Sequence, residues 1–137
     1  MHAVVPAVES LWGAAGIIVG FQVTAFTLRI NREIDVSRSG DFTWFPVADL
    51  LNMLSLSVTL IGVFALPALD VIGRESASHL FGLSVLLLLG YAFALAGHYE
   101  MYRAGARTMR YFPTQERVVV ALVAAAALIY IVAALAM

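Results

Sequence analysis

Four long apolar runs, separated by three short stretches that hold nearly all of the charge, make up this chain. The runs extend from about Leu11 to Ile30, Pro46 to Leu69, Ala77 to Tyr102 and Thr114 to Met137. Each is near the ~20 residues that a helix needs to cross hydrocarbon. They are too long for barrel strands and show no polar–apolar alternation. A backbone in lipid must satisfy its own hydrogen bonds, which a helix does within one segment. The pattern predicts an all-α membrane protein, a single domain of four transmembrane helices in an up-down bundle.

Local signals agree with these cuts. Trp44 and Phe45 precede Pro46 as an interfacial belt before a first-turn proline, Ser76 or Ser78 is placed to cap the third helix, and Pro113-Thr114 opens the fourth. Pro67 is expected to end or bend the second helix. The third is expected to run on past the membrane surface until Tyr111-Phe112-Pro113 stops it. Arg29, Arg32 and Arg38 flank the first connection, Arg103, Arg107, Arg110 and Arg117 the third, and only Arg74 the second. That asymmetry places the first and third connections in the cytoplasm, with Arg29, Arg32, Arg103, Arg107 and Arg110 as anchors, and both termini on the non-cytoplasmic side.

Small and polar positions within the runs carry the remaining information. Gly13, Gly16, Gly20, Thr24 and Thr27 recur along one face of the first helix, Gly90, Ala94 and Gly97 along the third, and Ala121 with Ala125 along the fourth. Such seams let helices approach in lipid. Contact inside one bundle is the simpler reading of Gly16-x-x-x-Gly20, and an interface between chains is the other. On the second helix Asp49, Asn52, Ser55 or Leu56, Thr59 and Gly62 form a polar stripe that should avoid lipid. Gln22, Arg29 and Glu33 from the first helix, and His98, Glu100 and Arg103 from the third, lie toward the same side. The fourth helix is expected to contribute almost nothing polar apart from Tyr130.

Plainer roles stand beside these. Asp49 is in a first helical turn, where a carboxylate caps free amides. Arg29 and Glu33 are four residues apart and read as an ion pair, as do Glu100 and Arg103. His98 and Glu100 point about 160° apart around a helix, so His98 needs partners from other helices, Asp49 and Asn52 being the natural ones.

Composition narrows the chemistry. Of 137 residues 62% are hydrophobic and 12% charged, with a mean hydropathy of +0.92, far from soluble domains. A net charge of −1 offers no basic surface to nucleic acid. Cysteine is absent, which removes thiol catalysis and thiolate metal sites. All cations are arginine in an Ala- and Val-rich chain, as in GC-rich prokaryotic genes. The first ten residues hold Glu9 and no cation, so the first run reads as a retained helix rather than a signal peptide. His79 and His98 are ~28 Å apart along one helix, unsuited to one haem. His98, Asp49, Glu33 and Glu100 offer metal donors but no dense ligand motif. Ser55 and Ser57 lack a nucleophile-elbow turn, and phosphate-binding glycine loops are missing.

The sequence therefore leads to a small multi-pass protein of a prokaryotic inner (plasma) membrane with no catalysis of its own and no predicted cofactor. It is expected to act in the lipid bilayer as a homo-oligomer or as an accessory subunit of a larger membrane complex. The alternative is proton or small-ion transport through a polar site of Asp49, Asn52, Thr59, Gln22, His98 and Glu100. A second is a metal-dependent membrane enzyme around His98. The arginine turns, with their neighbouring aromatic residues, suit anionic headgroups.

Overall fold

The structure, a computed structural model, describes residues 8–40, 46–102 and 112–136. The belt at Trp44 and Phe45, the anchors Arg103, Arg107 and Arg110, and the stop at Tyr111 lie outside the described residues. Four helices appear: α1 (Val8–Arg38), α2 (Val47–Ala68), α3 (Arg74–His98) and α4 (Thr114–Ala136), with no strand among the described residues. All four are long and apolar enough to cross a membrane.

The ends differ from the sequence expectation for definite reasons. α1 continues two turns beyond Ile30 because residues 31–38 contain no Gly or Pro, and it closes on Gly40, whose φ of +84° suits a residue without Cβ. α3 starts earlier than Ala77, on Gly73 as N-cap, so Ser76 and Ser78 sit inside the helix and Ser78 bonds back to the Arg74 carbonyl. α3 also stops at His98 rather than Tyr102. Glu100 turns left-handed (φ 51°), its amide donating to the Gly97 carbonyl and that of Met101 to the Ala96 carbonyl. Asp70 (φ 54°) ends α2 in the same manner.

Within α2 the backbone widens to a π-helix over Val58–Ala65, a form usually confined to single turns. Pro67 lies two residues beyond its end. It has no N–H, and its ring crowds the carbonyl four residues earlier, that of Val63. Trp12 from α1 takes the vacant place, its indole Nε1 donating to the Val63 carbonyl at 2.9 Å. Trp12→Phe, which keeps an aromatic ring and removes the donor, is expected to lower stability by about 1 kcal/mol. SDS titration of the protein in mixed micelles reads this directly.

α2 and α3 form the centre of the bundle, α1 lies against both, and α4 packs mainly along α3. At one end Leu11, Ala15, Val63 and Ala77 form an apolar cluster; at the other Ala48, Tyr91 and Ala94 pack with Val119 and Val120. Gly90, Ala94 and Gly97 are buried, as their spacing indicates. A Cβ on Gly97 would come within 2.9 Å of the Glu116 backbone nitrogen, and one on Gly90 within 2.5 Å of Val123. The facing surface of α4 runs through Glu116, Val119, Val120, Val123 and Tyr130; Ala121 and Ala125 are exposed, so they are not its packing seam.

The α1 seam is the largest departure from the simpler expectation. Gly13, Gly16 and Gly20 are exposed, and a Cβ built on any of them meets nothing within 4 Å. Thr24 and Thr27 share that outer surface, their hydroxyls bonded to the Gly20 and Val23 carbonyls of their own helix. The seam does not pack inside the chain.

Candidate functional site

The polar stripe of α2 is buried along its whole length. Asp49 and Asn52 are 1% exposed and Ser55 and Thr59 fully enclosed, and Gly62 continues the face against Leu80. Ser55, not Leu56, occupies the disputed position. α1 meets this face with Gln22 and Arg29, and α3 with Ser84 and Tyr91.

Two linked groups result. Deeper in the bundle, Gln22 Nε2 donates to Ser55 Oγ at 2.6 Å, and Ser55 Oγ donates to the Ser84 carbonyl at 2.6 Å. Asn52 Nδ2 donates to the Gln22 carbonyl at 3.2 Å. Three helices are thus tied by side chains, and in two of these links the acceptor is a backbone carbonyl, which can only accept. Thr59 bonds to the Ser55 carbonyl of its own helix. It belongs to the buried face but makes no link to another helix there.

Nearer the charged end, Arg29 donates from Nε to Asp49 Oδ2 at 3.2 Å and pairs through Nη2 with Glu33 at 3.1 Å. The expected Arg29–Glu33 pair is present, but it is part of a larger arrangement. Arg29 and Arg32 both donate to the Tyr99 hydroxyl, and both guanidinium groups lie over its ring. Tyr91 approaches Asp49 from α3.

Asp49 does not cap its own helix. The Ala48 amide, one of the free donors at the start of α2, goes instead to Glu116 Oε1 at 2.7 Å. Glu116 sits in the first turn of α4 and is fully buried. Its other oxygen meets His98 Nδ1 at 2.8 Å. Two expectations are corrected here: α4 does supply a buried polar side chain, and the hydrogen-bond partner of His98 is Glu116 rather than Asp49 or Asn52. Thr114-Gln115-Glu116-Arg117 has the composition of a surface turn, which gives no sign that Glu116 is buried. The available signal was its register, since Glu116 precedes Val119, Val120 and Val123 at the spacing of one helix face.

Glu100, named with His98 in the expected polar site and placed on the third helix, lies past the end of α3 in the left-handed turn. Among the described residues no three His, Asp or Glu side chains gather in a group that could hold a metal ion.

These features define a class, an all-helical protein with four candidate membrane spans and a buried polar seam between α1, α2 and α3. No protein-family model, curated protein or solved structure matches the chain.

Proposed function

We propose that this protein is a multi-pass component of a prokaryotic inner membrane, without catalysis of its own, that works by lateral association through α1, as an oligomer or as an accessory subunit. In this reading the helices form an up-down bundle, the arginine-bearing first and third connections face the cytoplasm, and both termini face away from it. The opposed contact pairs Trp12–Val63 and Arg29–Asp49 support antiparallel packing of α1 on α2.

One observation carries the proposal: Gly13, Gly16 and Gly20 form a small-residue face with nothing of their own chain against it. Lipid tails are as apolar as leucine, so helices associate in a bilayer where small residues allow close backbone contact. A through-path for ions inside one chain has less support, because the polar seam gives way beyond Thr59 to the apolar cluster of Leu11, Ala15, Val63 and Ala77.

The test is a double substitution, Gly16→Leu with Gly20→Leu. Neither side chain meets a neighbour in the chain, so the fold should persist while the contact is lost. Mass measured by light scattering in mild detergent should fall from that of an oligomer or a co-purifying complex to that of a monomer. A parent that is already a lone monomer, or a variant with unchanged mass, refutes this function.

A further inference from the structure

Two guanidinium groups converge on one uncharged atom at the charged end of the bundle, since Arg29 and Arg32 both donate to the Tyr99 hydroxyl. Their neutralisation is uneven. Arg29 is buried and meets Asp49 at 3.2 Å and Glu33 at 3.1 Å. Among the described residues Arg32 has one carboxylate within reach, the Glu33 oxygen already paired with Arg29, at 3.5 Å, and its side chain is 51% exposed.

Donors are left over at this rim. Arg32 uses Nη1 for both Tyr99 and Glu33, and among the described residues its Nε and Nη2 have no hydrogen-bond partner. The Tyr99 hydroxyl accepts from both arginines and gives its own proton to none of the described residues. A guanidinium edge matches a phosphate through two parallel N–H bonds, and the phenol O–H beside it offers a third donor.

An apolar track leads down from these donors. Ile17, Phe21, Leu28 and Arg32 follow one face of α1 at spacings of four, seven and four, and all four are exposed. Arg32 stands two residues beyond Ile30, where the apolar run ends. The track is separate from the glycine seam, because Ile17 and Phe21 each lie one residue, ~100° of turn, from Gly16 and Gly20. A phosphate above and a hydrocarbon strip below match the two parts of a phospholipid, whereas a free phosphate has no use for the strip. The ammonium of a zwitterionic headgroup would be carried toward two arginines, so the match is to an anionic one.

We infer that Arg32 and Tyr99 hold the phosphate of an anionic phospholipid whose acyl chain lies along Leu28, Phe21 and Ile17. Arg29 positions the Tyr99 hydroxyl from the buried side. A lipid held here leaves the glycine face of α1 open, so the site is independent of the lateral association proposed above.

Native mass spectrometry of the purified full chain in detergent, titrated with phosphatidylglycerol or phosphatidylcholine of matched acyl chains, tests this. The parent should prefer phosphatidylglycerol by about fivefold, the effect of one arginine at a charged surface. Arg32→Gln should abolish that preference. Arg38→Gln removes the same charge from an exposed pair with Asp35 and should leave the preference intact. Tyr99→Phe keeps the ring beneath both guanidinium groups and should weaken phosphatidylglycerol binding about twofold to tenfold. Equal binding of the two lipids by the parent overturns the site, as does full affinity in a folded Arg32→Gln or Tyr99→Phe chain, or an equal loss on Arg38→Gln. Displacement of the lipid by inorganic phosphate at the same concentration overturns the lipid as its occupant. The parent comparison and Tyr99→Phe carry the test where Arg32→Gln misfolds.

Discussion

Glu116→Ala is expected to destabilise the protein by about 2–5 kcal/mol, because each buried group left without its hydrogen-bond partner costs about 1–3 kcal/mol. Two partners are stranded at once. The Ala48 amide loses its acceptor at the start of α2, and the His98 ring loses the carboxylate 2.8 Å from Nδ1. Burial makes the loss hard to repair, since Glu116 has no exposed surface through which water could take its place. Glu116→Gln separates shape from charge. Its amide oxygen can still accept from Ala48, so it should cost only about 1 kcal/mol. Unfolding by SDS titration measures both, and an alanine variant within about 0.5 kcal/mol of the parent would contradict the role given to this residue.

Arg29→Met should be comparably severe, at about 3–5 kcal/mol, because it leaves Asp49 and Glu33 as neighbouring carboxylates without their shared cation. The informative partner is the double variant Arg29→Met with Asp49→Leu. It removes both charges of the Arg29–Asp49 pair, and apolar replacement of a buried pair is often near neutral. The double variant should therefore recover most of the loss, and a thermodynamic cycle over the four proteins gives the coupling. Additive single effects would show that Arg29 and Asp49 do not act together. Arg29→Lys is a weaker substitute, since one ammonium cannot reproduce the guanidinium contacts to Asp49, Glu33 and Tyr99.

The number of helices long and apolar enough to cross a membrane and the buried face of α2 were legible in the sequence, for a common physical reason. Lipid forbids both exposed backbone and exposed polar stripes, so long apolar runs must be helices and Asp49, Asn52, Ser55 and Thr59 must turn inward. Partner choice was not legible. A small residue at every third or fourth position states that something approaches closely without stating what: Gly90 and Gly97 receive α4, whereas Gly16 and Gly20 receive nothing from their own chain. His98 raised the same difficulty, because its partner comes from another helix eighteen residues away. The π-helical stretch needed two facts together, Pro67 in the last turn and Trp12 on another helix opposite Val63. Only the first is local.

The reach of Glu116 into the first turn of α2 also bears on biosynthesis. Helices of a membrane protein emerge in chain order, so α2 and α3 are made before the carboxylate that accepts from the Ala48 amide and meets His98. Until α4 docks, those two groups form an unsealed notch at the charged end of an otherwise packed pair. Synthesis of the last helix closes that notch, and a chain cut short before Glu116 leaves the Ala48 amide and the His98 ring without this carboxylate.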